Sequence, residues 1–224
     1  MPKHVFYTTP VGDEPGLTSA SIGLLRSLER LGTPVGFYKP FSQAHDPNSI
    51  DLSNEYVRQC THLEPPTSLP HREFQAALAA GKLDELLSHC IEQIEALGES
   101  HEIIVVEGLV DSPHLPNSQQ LNAAIARSLS AEIVLVVRPA SEVPSDVASQ
   151  IGSAIDNLPA NLKKTSPVAL LNHTPANWDE AAITELRNSM PCDLLAVVPE
   201  IPELKQQRVL DLLDEMHAEI LHRG

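Results

Sequence analysis

The sequence predicts an α/β fold of three layers, with a mostly parallel central sheet and helices on both of its faces. Short apolar runs, typical of buried strands, alternate along the chain with segments whose apolar residues recur at helical spacing. Polar residues that could bind a ligand follow several of these runs, where open parallel sheets bind their ligands. The chain has 224 residues, 42% of them hydrophobic, and no linker-like break. We therefore expect a single domain over residues 1–224.

The first unit consists of a strand, a loop, a helix and a second strand. Residues 4–8 (HVFYT) are aromatic and β-branched, as expected of a buried strand. Apolar residues then recur at helical spacing over residues 18–31, and Gly32 supplies a stop signal. Residues 35–39 (VGFYK) predict the second strand. A crossover helix of this kind is what joins parallel strands.

The same alternation continues to the end of the chain. Residues 103–106 form a continuous apolar run that ends in Glu107, which is typical of a central parallel strand. The other predicted strands cover residues 132–137, 168–172 and 194–198. The other predicted helices cover residues 53–60, 72–80, 83–97, 118–128, 145–157, 179–189 and 205–221.

Composition narrows the classes of function. The chain carries 30 acidic and 15 basic residues, and its net charge of −15 opposes binding to nucleic acid or to an anionic membrane. Its three cysteines are far apart and form no metal or redox motif. The chain shows no signal segment and no apolar run near the about 20 residues of a membrane helix. We expect a cytoplasmic protein.

Residues 8–19, between the first strand and the first helix, nearly match the phosphate-binding G-x-x-x-x-G-K-[ST] loop, or P-loop. Gly16 and Thr18 fit the last glycine and the hydroxyl that holds Mg²⁺, but Leu17 replaces the lysine. Pro10, at the start of the loop, brings no N–H group. The residues expected to bind a phosphate here are Gly12, Gly16, Leu17, Thr18 and Ser19.

Several short motifs in the right order resemble one family. They are Gly16-Leu17-Thr18-Ser19, Phe37-Tyr38-Lys39-Pro40, Val106-Glu107-Gly108-Leu109-Val110, Leu121-Asn122 with Ala131-Glu132-Ile133-Val134, and Ala196-Val197-Val198-Pro199. Together they resemble the N-terminal domain of bacterial phosphate acetyltransferase of the long, multidomain type. That domain is in turn similar to dethiobiotin synthetase, a P-loop ligase, so the resemblance implies a P-loop NTPase-like fold.

The resemblance also implies roles for single residues. Thr18, Asp51 and Glu107 match the ligase residues that hold Mg²⁺, although a threonine at a helix start is equally a capping residue. Lys39 matches a lysine that serves the phosphates, although a lysine at a strand end is often only solvated. Asn172 matches an asparagine that contacts adenine, although asparagine also favours strand-end turns.

Three functions stay open at this point. The parent family interconverts acetyl-CoA and phosphate with acetyl phosphate and CoA in a separate C-terminal domain, before which this chain stops. The resemblance therefore implies a regulatory and structural domain without catalytic residues, whose ligand is a small effector such as weakly bound Mg-ATP or NADH. Its expected partners are the remaining domains and further copies of itself. The alternatives are an ATP-dependent ligase and an interaction module that docks through residues 205–221.

Overall fold

A computed structural model describes residues 2–43, 51–112, 115 and 117–201. Within them lies one six-stranded sheet in the order β2-β3-β1-β4-β5-β6, and every neighbouring pair is parallel. The predicted α/β class is confirmed. The strands are β1 (His4–Val11), β2 (Val35–Tyr38), β3 (Ile103–Glu107), β4 (Glu132–Val137), β5 (Val168–Thr174) and β6 (Asp193–Pro199).

Helices connect the strands of the described part of the chain. They are α1 (Leu17–Arg30), α2 (Leu52–Cys60), α3 (His71–Ala79), α4 (Leu83–Leu97), α5 (Ser118–Ser128), α6 (Pro144–Asp156), α7 (Ala160–Lys163) and α8 (Glu180–Ser189). The short helix α7 was not predicted, because a single turn carries no periodicity. The predicted helix over residues 205–221 lies outside the described residues.

Strand β1 lies at the centre of the sheet, between β3 and β4. Thr8 pairs with Glu107 at the end of β3, and Val11 pairs with Val137 at the end of β4. Since all six strands run the same way, the loops that follow them meet at one edge. The prediction ended β1 at Thr8, but the strand continues to Val11, because β4 extends the pairing beyond the end of β3.

Helices cover the two faces of the sheet unequally. Helices α1 and α2 pack on one face, where Leu25 and Val57 meet Phe37 and Val105. The main core lies on the other face, against α3 to α8. Its members that are under 2% exposed include Tyr7, Tyr38, Phe41, Phe74, Ile104, Ile125, Leu135, Ile151 and Leu162. Burial of a large apolar side chain contributes about 1.5–3 kcal/mol, so this face supplies most of the stabilisation.

A buried asparagine joins the main core to the loop after β3. The Oδ1 atom of Asn122 accepts hydrogen bonds from the Tyr7 hydroxyl and from the backbone N–H of Leu109, both at 2.7 Å. Its amide donates to the Leu109 carbonyl at 2.8 Å. A β-carbon on Gly108 would lie 2.6 Å from the Thr8 carbonyl oxygen, so only glycine lets the chain leave β3 along this path.

No helix among the described residues is long and apolar enough to cross a membrane.

Candidate functional site

The side chain of Glu107 is the centre of a buried polar cluster where β3 ends. Its Oε1 atom accepts three hydrogen bonds: from Lys39 Nζ at 2.7 Å, from Ser53 Oγ at 2.7 Å and from Thr18 Oγ1 at 3.1 Å. These donors come from the end of β2, the first turn of α2 and the first turn of α1. The structure thus brings three of the predicted site residues together and adds Ser53.

The other carboxylate oxygen of Glu107 has a different environment. Oε2 is buried, and it accepts no hydrogen bond within the described part of the chain. A buried polar atom without a partner costs about 1–3 kcal/mol, and more for a charged group. Such an oxygen, beside a threonine hydroxyl, suits a hard cation.

Lys39 is charged although its side chain is only 8% exposed. Burial by itself lowers the pKa of a lysine, but the carboxylates of Glu107 and Asp51 raise it, and the net pKa lies above its usual value. Lys39 also donates to Ser53 Oγ at 3.0 Å. The ammonium group therefore neutralises the carboxylate within the protein, and the view of Lys39 as a solvated lysine is wrong.

Asp51 lies just before α2 and caps that helix. Its carboxylate accepts a hydrogen bond from the backbone N–H of Ser53 at 3.0 Å. A cap of this kind contributes about 1 kcal/mol. No three acidic, histidine or cysteine side chains of the described residues lie close enough to hold a metal ion. A role for Asp51 in Mg²⁺ binding stays a prediction.

Leu17 occupies the place of the P-loop lysine, and its side chain points into the core. It is 4% exposed and packs with Ala20, Val134, Val136 and Leu170, where α1 meets β4 and β5. An apolar contact thus replaces a cation at this position. Its backbone N–H is the group that Leu17 could still offer a phosphate. The sequence held a signal for this arrangement, because Leu17 and Ala20 lie three residues apart on one helix face.

The loop itself begins at Gly12 and ends at Gly16. Pro10 lies inside β1, so it is not part of the loop. Gly12 and Gly16 have φ angles of 89° and 68°, which favour glycine. Gly16 precedes α1 without a side-chain cap, and Thr18 lies within the helix, so it is not the capping residue. The first N–H groups of α1, near exposed Ser19, are donors of the type that binds phosphates.

Asn172 braces the loop from the neighbouring strand. Its amide donates to the carbonyl of Pro15 at 2.9 Å. It is 6% exposed and lies inside β5, which continues to Thr174, so a strand-end turn at this residue was the wrong expectation. The next residue, His173, has a left-handed φ of 56°, and β5 departs from regular pairing here. A contact of Asn172 with adenine stays a prediction.

A second cation lies at the same edge of the sheet and was not predicted. Arg138 directly follows β4, and its Nη1 atom lies 3.6 Å from Oε2 of Glu14 in the loop. The rule that located Lys39 and Glu107, a polar residue directly after an apolar strand, would have found it.

Comparisons with known proteins show the family and the fold of the chain. A family model described as an AAA domain matches residues 4–208. The chain is 32% identical to the phosphate acetyltransferase of Pseudomonas putida and 31% identical to that of Pseudomonas aeruginosa, over 98% and 99% of its length. It spans about a third of these relatives, 33% of each, and matches their N-terminal part. In fold it is similar to a Cyanothece McdA variant in complex with ATP, with a TM-score of 0.55, 11% identity and coverage of 96% and 91% of the two chains.

Proposed function

We propose that this chain, which belongs to the family described as an AAA domain, is the N-terminal regulatory domain of a phosphate acetyltransferase. In this proposal it has a weakened nucleotide pocket and no catalysis of its own. Its similarity over nearly its whole length to a third of such enzymes supports this assignment. Acetyl transfer between CoA and phosphate then belongs to the rest of the protein. The remaining domains and further copies of the chain are its proposed partners.

The buried side chain of Leu17 carries the proposal. Phosphoryl transfer in P-loop enzymes needs a lysine and Mg²⁺ to neutralise the transferring charge. Here the position of that lysine belongs to the core, between α1 and two strands of the sheet. Losing one charge-assisted hydrogen bond costs about 1.5–3 kcal/mol, which corresponds to about a ten- to hundredfold weaker affinity. We therefore expect the domain to bind a nucleotide weakly without transferring its phosphate.

The buried polar cluster supports a pocket of this kind. Thr18 and Glu107 have the oxygen ligands that Mg²⁺ prefers, and Asp51 lies close enough to influence Lys39. When bound with a nucleotide, Mg²⁺ would supply positive charge next to the phosphates. In its absence Lys39 supplies the charge that Glu107 requires. The residues therefore fit either a bound cation or their own internal ion pair.

Calorimetry tests the proposal with Mg-ATP and with NADH as separate ligands. We expect at least one to bind with a dissociation constant in the micromolar to millimolar range, and no release of phosphate from ATP. A protein that binds neither ligand would refute the pocket. Fusion of the chain to its native downstream sequence would test regulation, because addition of the bound ligand should then change the rate of acetyl phosphate formation.

A working ligase is the second candidate, on the strength of the fold and of Lys39, Glu107 and Thr18. The position of Leu17 opposes it, since no lysine lies at the start of α1. Incubation with ATP, bicarbonate and a diamino acid decides the matter: release of phosphate that depends on the diamino acid would replace the regulatory proposal. The third reading, docking through residues 205–221, falls outside the described residues.

A further inference from the structure

We propose that Arg138 is the cation that holds a polyphosphate at this loop, in place of the lysine missing from position 17. This inference rests on the proposed nucleotide pocket and names the residue that gives it affinity. Two cationic side chains follow strands at this edge of the described sheet, Lys39 after β2 and Arg138 after β4. They differ in how tightly the protein already holds them.

The ammonium group of Lys39 is already bound by side chains of the protein. This group is buried and makes hydrogen bonds to Glu107 and Ser53 at 2.7 and 3.0 Å. A phosphate could recruit it only by leaving the Glu107 carboxylate buried without its counter-charge, which is costly. Arg138 is held more loosely. Its side chain is 33% exposed, and its partner Glu14 is 92% exposed and 3.6 Å away, beyond the distance of a good hydrogen bond.

The backbone of Arg138 is fixed beside the loop. Its N–H donates to the Val11 carbonyl at 3.1 Å, and its carbonyl accepts a hydrogen bond from the Gln150 amide at 3.0 Å. A β-carbon on Gly12 would lie 3.1 Å from that carbonyl oxygen and 3.9 Å from the Arg138 β-carbon. The arginine therefore begins beside Gly12, the first residue of the loop, and its guanidinium reaches Glu14 within the loop.

In this arrangement the Glu14 carboxylate takes the position at the Arg138 guanidinium that a phosphate group of the ligand would take. Glu14 has a left-handed φ of 44°, and its carboxylate is the group that the guanidinium contacts. A guanidinium binds carboxylate and phosphate with the same two-pronged geometry, so a polyphosphate would exchange with Glu14 for Arg138. An exposed ion pair of this kind contributes little to stability, so the exchange is not hindered.

Titration calorimetry with sodium triphosphate, Mg-ATP and adenosine tests this inference on the full chain at low salt. Loss of one charge-assisted contact predicts that Arg138→Gln weakens triphosphate and Mg-ATP about tenfold and leaves adenosine unchanged. Glu14→Gln should tighten triphosphate severalfold, because the competing carboxylate is gone. The double variant should match Arg138→Gln alone, since Glu14 matters only through Arg138.

Arg187→Gln, in the exposed last turn of α8, is the control for charge and should bind like the wild type. A wild type that binds triphosphate while Arg138→Gln binds it equally well would overturn the role of Arg138 and leave the pocket standing. Equal weakening by Arg187→Gln would also overturn it, because the effect would then be one of net charge. A wild type that binds none of the three ligands would refute the pocket itself, and this inference with it.

Discussion

Asn172 stands so close to Gly16 that a β-carbon on the glycine would lie 2.4 Å from the asparagine amide nitrogen. The close approach lets that amide reach the carbonyl of Pro15 and brace the loop from β5. Gly16 also has a φ of 68°, so an added side chain would meet both backbone strain and a clash.

Gly16→Ala should therefore lower the free energy of unfolding by about 2–4 kcal/mol, measured by urea denaturation. In an Asn172→Ala background the same change should cost about 1–2 kcal/mol, because the 2.4 Å clash is gone and only the backbone strain and a 3.0 Å contact with His173 Nε2 remain. Gly23→Ala is the matched control: this glycine lies within α1 with nothing within 4 Å of the added carbon. It should stabilise by about 0.5–1 kcal/mol. An equal cost of Gly16→Ala in both backgrounds would show that Asn172 is not what restricts the loop.

Separation of the buried ion pair should be costly. Lys39→Met or Glu107→Gln should each lower the free energy of unfolding by about 3–5 kcal/mol, because each disrupts a charge balance inside the protein. The double variant should cost less than the sum of the two, since it removes both charges. Lys3→Met, which breaks an exposed pair with Glu102, should change stability by less than about 1 kcal/mol. Additive costs in the double variant would contradict the pairing.

Leu17→Lys should fail to restore tight nucleotide binding. The side chain lies among Val134, Val136 and Leu170, so a lysine there would place a charge in an apolar contact. We expect a loss of about 2–5 kcal/mol in unfolding free energy and no gain in ATP affinity, measured by calorimetry. Leu17→Met, a change of similar volume, should cost less than about 1.5 kcal/mol. A lysine variant of wild-type stability that binds ATP at least tenfold more tightly would show that the helix start can reorient.

Alkaline pH should destabilise the fold through the buried thiol of Cys90. Burial raises its pKa to about 11 from 9.0, so the unfolded chain ionises first as pH rises. The stabilisation by the neutral thiol is complete below pH 9 and is lost between pH 9 and 11. By pH 10 the loss of unfolding free energy from this group amounts to about 1 kcal/mol. Urea denaturation at pH 7 and pH 10 should show a smaller drop for Cys90→Ala than for the wild type. Identical drops would assign the loss to other groups.

Strand periodicity made most of the fold predictable. Apart from one terminal glutamate each, Ile103–Glu107 and Glu132–Val137 are continuous apolar runs, and such runs predict strands that are buried on both faces. Parallel strands end at one edge, so the same pattern placed Lys39 and Glu107 near each other. The direction of the Leu17 side chain was harder to predict. The P-loop motif places a phosphate-facing lysine at this position, whereas the helical spacing of Leu17 and Ala20 places the side chain on the buried face of α1. Ser53 looked like an ordinary helix-start residue, and only the tertiary structure shows its hydroxyl against Glu107.

One oxygen atom, Oε1 of Glu107, is shared by groups from β2, α1 and α2. Those three elements follow one another along the chain, and this acceptor is one that all three have in common. A ligand or cation that bound to Oε1 would displace hydrogen bonds from all three elements. Its binding would therefore change contacts at the end of the edge strand β2 as well as at the start of α1. The carboxylate is thus a shared acceptor that joins the edge strand of the sheet to the two helices beside it.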